Sequence, residues 1–148
     1  LTAIAPLHNF KINGLPELKP SVQLHYPKVP NCLLSKILHL SQEIAPLEIL
    51  FQLFWQDEDG WQLIVPEQTA TSCQIQWKSM YPQAPLIEIH SHAKGEAFFS
   101  ATDNADENGF AIYGVLGKIF TKPQLRLRIG IYHQLFWEID PNLILEFT

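Results

Sequence analysis

"EIHSHAKGEAFFSATD", residues 88–103, holds two of the chain's six histidines, His90 and His92, with Asp103 eleven residues further on. The run "LIEIHSH" has the composition of a strand. Successive side chains of a strand point to opposite faces, so His90 and His92 fall on one face of a sheet, together with Leu86 and Glu88. Two adjacent imidazoles can bind one metal ion. The stretch therefore predicts a strand with a metal site at its end.

A His-x-His pair also occurs without a metal, so the metal interpretation depends on the residues that follow it. Asp103 supplies a third ligand, and three protein ligands plus a water form an open catalytic zinc site. Nitrogen and carboxylate donors suit zinc, although iron or manganese fits the same set. Ser100 could donate a hydrogen bond to a developing oxyanion, or it could simply cap a helix or turn. We expect one zinc per chain, with a bound water as its fourth ligand.

Hydrolysis at such a site also needs a general base, and Glu48 is the preferred candidate. It interrupts the apolar run "LEILFQLFW", where a lone carboxylate is costly to bury unless a cation compensates it. An edge-strand residue facing water is the alternative interpretation of Glu48. Glu88 is the rival base, since it shares the face of His90, and it could instead orient a ligand. The other glutamates considered lie in turns, loops or near a helix end: Glu43, Glu58, Glu67 and Glu96.

Composition limits the classes of function. The 148 residues are 47% hydrophobic and 17% charged, with a net charge of −5, which indicates one globular core and neither a membrane span nor a nucleic-acid surface. A protein, a peptide or a small molecule is the expected partner. Cys32 and Cys73 form no CxxC motif, so both are expected to be buried in a reducing compartment, with the cytoplasm as the default location.

The order of patterns along the chain predicts an α+β fold. Residues 1–30 carry five prolines and are expected to form an N-terminal extension, with the domain over residues 31–148. "NCLLSKILHLSQEI" predicts the one substantial helix, with Asn31 as its N-cap. Several strand-type runs follow, two of them joined at "DEDG", while "NADENG" is turn-like and "LILEFT" has strand composition. The expected architecture is a curled mixed β-sheet with one main helix packed on it.

His90-x-His92, seven residues, Ser100, two residues and Asp103 resemble the JAMM (MPN+) metalloprotease signature at every defined position. "Pro46-Leu47-Glu48" resembles the segment that carries that family's upstream glutamate. The resemblance covers roughly residues 31–139 and implies a zinc-dependent peptidase or isopeptidase with a cytidine-deaminase-like fold. It further implies that His90, His92 and Asp103 bind the metal, that Glu48 is the general base and that Ser100 stabilises the oxyanion.

The chain departs from the family pattern at two positions that carry no ligand. Ala93 stands where a proline commonly follows the second histidine, and the glycine usually found after the glutamate is missing. No long insertion follows Asp103, so the chain resembles the compact prokaryotic branch, whose members are linked to ubiquitin-like or sulfur-carrier proteins. Two other classes stay open: a non-catalytic MPN-type scaffold and a cupin-like metal enzyme, since His90-x-His92-x3-Glu96 imitates half of the cupin motif.

Overall fold

The protein is described by a computed structural model covering residues 1–5, 13–16, 19–71, 75–78, 81–93 and 95–147. Its helices are α1 (Asn31–Ile44) and α2 (Ala101–Asp106), and a 3₁₀ turn spans Pro141–Leu143. Its strands are β1 (Thr2–Ile4), β2 (Ser21–Gln23), β3 (Leu50–Gln56), β4 (Gly60–Ile64), β5 (Glu67–Ala70), β6 (Ile75–Lys78), β7 (Ile87–Ser91), β8 (Phe110–Gly117), β9 (Gln124–Ile131) and β10 (Leu135–Ile139).

A six-stranded mixed sheet with the order β10-β9-β8-β7-β3-β4 forms the centre of the molecule. Its only parallel pair is β7 with β8, and the other neighbours are antiparallel. Parallel neighbours need a crossover connection, and here residues 92–109 supply it and contain α2. Two further antiparallel strand pairs, β1–β2 and β5–β6, lie outside this sheet. The predicted α+β class with a mixed sheet is confirmed.

The two faces of β7 have different environments. Ile87 and Ile89 are 0% and 1% exposed and belong to the hydrophobic core. The core also contains Ile37 of α1, so the main helix packs on this face. Glu88 and His90 alternate with the isoleucines and therefore point to the opposite face. One face of the sheet thus packs against α1 in the hydrophobic core, and the opposite face is polar and carries the histidines.

The predicted helix occupies residues 31–44, but its N-cap differs from the expectation. Pro30 has extended dihedral angles and is the N-cap residue, without a side-chain hydrogen bond, and Asn31 is already helical. Cys32 lies in the first turn of this helix and is exposed, so its predicted burial is wrong. Cys73 lies outside the described residues. A proline disfavours helical angles in the residue before it, so the helix begins only after Pro30. The prediction based on Asn31 did not take this into account.

Three short segments differ from their sequence-based prediction. "NADENG", residues 104–109, was expected to be a turn; its first half instead ends α2, which the reciprocal capping box of Ser100 and Asp103 starts, and residues 107–109 lie outside the helix. "LILEFT" was expected to be a strand, but Asp140 caps a 3₁₀ turn, and a single bridge joins Val29 to Leu145. Glu67 was placed in a loop and instead begins β5. In each case local capping or pairing outweighed composition.

The N-terminal part of the chain contacts the sheet through aromatic residues. Tyr26 stacks on Trp55 with ring centroids 4.9 Å apart, and it meets Trp61 edge-on at 6.3 Å. The Trp61 indole donates a hydrogen bond to the Pro27 carbonyl at 2.8 Å, and Val29 is fully buried. The division into an extension, 1–30, and a domain, 31–148, stays a prediction.

Neither of the described helices has the length and apolar character needed to cross a bilayer.

Candidate metal centre

The register of β3 against β7 explains how residues far apart in sequence come together. Leu50 pairs with His90 in this antiparallel pair. The Ser91 amide donates to the Ile49 carbonyl at 3.0 Å, and the Ile49 amide donates to the Ser91 hydroxyl at 3.1 Å. Continuing the register by two residues places Glu48, just before β3, opposite His92, just after β7. The buried carboxylate and the second histidine therefore meet at one end of the sheet.

His90, His92 and Asp103 present ligand atoms that all lie within 4.8 Å of one another. His90 Nε2 is 3.2 Å from His92 Nε2 and 3.3 Å from Asp103 Oδ1. Tetrahedral ligands about 2.0–2.1 Å from a zinc ion would be about 3.3 Å apart. These spacings and the nitrogen–carboxylate donor set fit a single zinc ion.

The chain orients two of these side chains through their other atoms. His92 Nδ1 lies 3.1 Å from the Glu96 carbonyl oxygen; a proton on Nδ1 donates there and leaves the Nε2 lone pair free, as metal-binding histidines require. Asp103 Oδ2 accepts the hydrogen bond of the Ser100 amide, while Oδ1 faces His90. The Ser100 hydroxyl oxygen accepts from the Asp103 amide at 3.2 Å. The capping box that starts α2 thus also holds the carboxylate toward the histidines.

Glu48 lies beside this group without belonging to it. Its Oε1 is 3.9 Å from His92 Nε2, and the residue is 8% exposed. Burial, and secondarily the negative charge of Asp103, raise the pKa of Glu48 to about 7. Burial lowers the pKa of His90 to about 4, against the opposing effect of the Asp103 charge. Near neutral pH, Glu48 can accept and release a proton, and the His90 ring is neutral and able to bind a metal.

The rival base, Glu88, has a different environment. Its carboxylate accepts a hydrogen bond from the Gln52 amide at 2.9 Å, and burial raises its pKa despite this bond. Glu96 is exposed and paired with Lys118, and Glu43 is exposed and paired with His39. Glu58 and Glu67 are also exposed. Among the glutamates considered as the base, and within the described residues, Glu48 is the one that forms an ion pair with a candidate metal ligand, at less than 4 Å.

A cavity opens on the polar face of the sheet beside the candidate metal ligands. Half of the residues that line it are carboxylates: Glu48, Glu88, Asp103, Asp106 and Glu107. His90, Thr102 and Tyr113 add further polar groups. Leu50 and Ile75 add apolar walls. Two of the residues expected to bind metal, His90 and Asp103, thus share a cavity with the expected base Glu48. His92 and Ser100 are linked to it through their contacts with His90 and Asp103.

Sequence reasoning missed Glu107 and Arg128, which form a buried ion pair next to the site. Arg128 Nε donates to Glu107 Oε2 at 2.7 Å, and both residues are over nine-tenths buried. Burial raises the pKa of Glu107 to about 7 even though Arg128 opposes the shift. A charge within the alternating strand "QLRLRIGI" was the available signal, because a charged residue there must face either water or a partner.

The histidines outside the motif have local contacts. The His25 ring lies 2.7 Å from the Thr2 hydroxyl, and His39 pairs with Glu43 on the surface of α1. His133 is in the β9–β10 turn, where its ring contacts the Asn104 carbonyl at 3.2 Å. His8 lies outside the described residues. Within the described ranges, the group at the end of β7 is the one set of three side chains placed to hold a metal.

The chain matches a model of a known protein family. The model for prokaryotic homologues of the JAB domain matches residues 30–130, which include every residue of the candidate site. No curated protein matches the chain.

Proposed function

We propose that this chain, which belongs to the family of prokaryotic homologues of the JAB domain, is a zinc-dependent hydrolase of peptide or isopeptide bonds. The family includes metalloisopeptidases as well as non-catalytic members. The observation that carries the proposal is the convergence of His90, His92 and Asp103, with the buried Glu48 carboxylate 3.9 Å from His92. A scaffold has no need of both a ligand set and a buried base.

His90, His92 and Asp103 would hold the zinc ion through Nε2, Nε2 and Oδ1, the atoms that already converge. Zinc bound by three protein ligands supplies a Lewis acid and lowers the pKa of a coordinated water to about 7. The hydrogen bonds from His92 to Glu96 and from Ser100 to Asp103 hold two of these ligands in orientation.

Glu48 is the proposed proton carrier. Its carboxylate takes the proton of the attacking water and then returns it to the leaving amine, so that one group serves as base and acid. In the metal-free protein the pKa of Glu48 is raised to about 7, and a bound zinc ion would lower it, which favours the ionised carboxylate that a general base requires. The position of Glu48 opposite His92, fixed by the β3–β7 register, brings the carboxylate to the metal side of the cavity.

Ser100 is the proposed donor to the oxyanion of the tetrahedral intermediate. Its oxygen accepts the Asp103 amide hydrogen bond, which leaves its own hydroxyl hydrogen free to donate. A preorganised donor of this kind stabilises charge that develops only in the transition state.

The proposed substrate is a protein or peptide, and the tail of a ubiquitin-like or sulfur-carrier protein is the first candidate to test. This follows from family analogy. The proposed cytoplasmic location rests instead on the two cysteines without a CxxC motif, which favour a reducing compartment. The cupin-like alternative loses its support, because the chain has a mixed sheet with a parallel β7–β8 pair and belongs to the JAB-domain family.

Elemental analysis of the purified protein and of Asp103→Ala tests the metal site directly. We expect about one zinc per wild-type chain, and a large loss in the variant because one of three protein ligands is missing. Asp106→Ala is the matched control, since Asp106 lines the same cavity outside the ligand set. If the wild type takes up no zinc, or if Asp103→Ala retains it fully, the proposed hydrolase is wrong and the scaffold becomes the better explanation.

A further inference from the structure

A row of polar side chains crosses the sheet on the face that carries the site. Gln52 pairs with Glu88, Glu88 with Tyr113, Tyr113 with Arg128, and Arg128 with Glu138, on five successive strands. Arg128 is the cation of this row and is only 5% exposed. Its Nη2 lies 2.6 Å from Glu107 Oε2, the same oxygen that accepts from Nε. The guanidinium is therefore buried and directed toward the segment that follows α2.

Stability alone does not explain a buried ion pair, because the free-energy cost of desolvating its two charges can exceed the energy of their attraction. Part of the cost here is offset by aromatic contacts. The Arg128 guanidinium carbon lies 4.0 Å from the ring centroid of Phe99 and 4.1 Å from that of Phe136. Two such cation–π contacts hold the planar group between rings.

The partners of Arg128 lie on both sides of α2. Phe99 immediately precedes the N-cap Ser100, and Glu107 immediately follows the last helical residue, Asp106. One guanidinium therefore contacts the chain just before the helix and just after it. Between these contacts lie Ser100 and Asp103, the proposed oxyanion donor and the proposed carboxylate ligand.

Besides its links to Arg128, α2 has two further contacts. The His133 ring lies 3.2 Å from the Asn104 carbonyl oxygen, and His90 lies 3.3 Å from Asp103. The helix is six residues long and contains no buried residue. A helix this short is unstable alone, and its own capping box fixes the first turn without fixing its place on the sheet. Contacts from outside the helix must therefore set the position of Asp103 relative to His90.

We propose that Arg128 is a positioning residue that holds α2 against the sheet through Phe99 and Glu107, and so sets Asp103 and Ser100 in place beside His90. Arg128 itself contacts neither the metal nor the substrate in this scheme. The proposal depends on the proposed metal site only for one of its two measurements.

The first measurement is the affinity and absorption spectrum of the protein with Co²⁺, which replaces zinc and has visible bands that depend on ligand geometry. We expect Arg128→Met to raise the Kd for Co²⁺ by about 10- to 100-fold, the usual cost of losing a group that orients a ligand. We also expect altered band intensities, at a temperature where the variant is fully folded. Arg128→Lys keeps the charge but loses the planar face, so we expect a smaller loss of the same sign.

The second measurement is hydrogen exchange of the amides of Asp103 and Glu107, which donate to Ser100 Oγ and to the Asp103 carbonyl. This readout needs no metal. We expect Arg128→Met to accelerate exchange in α2 more than in the β8–β9 ladder. Arg126→Met is the matched control, since Arg126 lies two residues away on the same strand, is 44% exposed and pairs with Glu138. Its remaining contact, 3.4 Å to the Ala97 carbonyl, lies outside α2. Hydrogen exchange in α2 of Arg126→Met should therefore stay as in the wild type.

The outcomes separate this proposal from the proposed function. A wild type that binds no Co²⁺ contradicts the metal hydrolase, and exchange in α2 then decides the role of Arg128 by itself. The positioning role of Arg128 would be refuted if a folded Arg128→Met showed the wild-type exchange rate in α2. If the wild type binds Co²⁺, the variant would also have to show the wild-type Kd. If Arg128→Met does not fold, Phe136→Leu removes one ring and keeps the ion pair. A folded Phe136→Leu should show the same effects in reduced size, and wild-type behaviour in it would refute the proposal.

Discussion

Glu48, which is buried, and Glu88, which is half-buried, line one cavity, and their environments give them different expected roles. Glu48 lies 3.9 Å from His92, whereas Glu88 accepts a hydrogen bond from Gln52. We expect Glu48→Gln to keep zinc and to lose about 10²- to 10⁴-fold in rate, the usual contribution of a general base. Glu88→Gln should keep most of the rate, because its amide can still pair with Gln52.

The two variants are compared by zinc content and by cleavage of a peptide or ubiquitin-like fusion that the wild type hydrolyses. Wild-type turnover in Glu48→Gln would show that the base is elsewhere. A large loss of rate confined to Glu88→Gln would move that role to the rival carboxylate.

Ser100 has two separable tasks, capping α2 and donating its hydroxyl. Glycine is nearly as good an N-cap as serine, so Ser100→Gly should cost only a few tenths of a kcal/mol in the free energy of unfolding. The loss of the hydroxyl should lower kcat by about 10²- to 10³-fold, as for other oxyanion donors. Thermal unfolding and turnover measure the two effects, and Ser100→Thr, which retains a hydroxyl, is the control. Full activity in the glycine variant would leave Ser100 with capping alone.

At the scale of elements, the loop after β7 packs directly on the end of β8. The His92 amide donates to the Leu116 carbonyl, and the Lys118 amide donates to the Gly95 carbonyl, both at 2.8 Å. A Cβ on Gly117 would overlap the backbone of Glu96 and Ala97. The carbonyl that orients His92 belongs to Glu96, so this close approach positions a candidate metal ligand.

Gly117→Ala should therefore weaken both the fold and metal binding. We expect it to lower the free energy of unfolding by about 1–3 kcal/mol, the typical cost of overpacking. The displaced loop should also weaken zinc affinity by about tenfold or more. Gly95→Ala is the control, because its Cβ would lie 3.6 Å from His92 Cβ, an ordinary contact. Equal zinc affinity in the two folded variants would contradict the role given to this packing.

At the scale of the whole molecule, buried ionisable groups make the stability of the metal-free protein depend on pH. The pKa of Glu48 is raised from 4.5 to about 7, so the folded state binds its proton more tightly than the unfolded state. Ionisation of Glu48 therefore lowers the free energy of unfolding. This loss is absent below pH 4.5, grows as the pH rises and is complete above about 7. His90 acts in the opposite direction: its pKa is lowered from 6.5 to about 4, so stability is lost as the pH falls through that range.

Replacing Glu48 by glutamine isolates the first effect. The advantage of metal-free Glu48→Gln over the wild type in the free energy of unfolding should grow between pH 4.5 and 7, by up to about 3 kcal/mol. Urea unfolding at several pH values measures it, with Glu58→Gln in the exposed β3–β4 turn as the control. A difference that stays constant across this range would mean that Glu48 is not desolvated in the folded protein.

The sequence by itself determined the α+β class, the main helix over residues 31–44, the β3–β4 hairpin and the set of residues that meet at the end of β7. These are carried by periodicity and by motif spacing, which are local properties of the chain. It also selected Glu48, because a lone carboxylate in an apolar run signals a special environment. Their roles in metal binding and catalysis stay predictions.

Only the tertiary structure decided which distant groups touch. The β3–β7 register places Glu48 opposite His92, and the capping box of α2 turns Asp103 toward His90. The pairing of Arg128 with Glu107 joins residues 21 positions apart. Such contacts depend on strand register and on the path of the crossover connection. Both depend on residues far apart in sequence, so no local pattern specifies them.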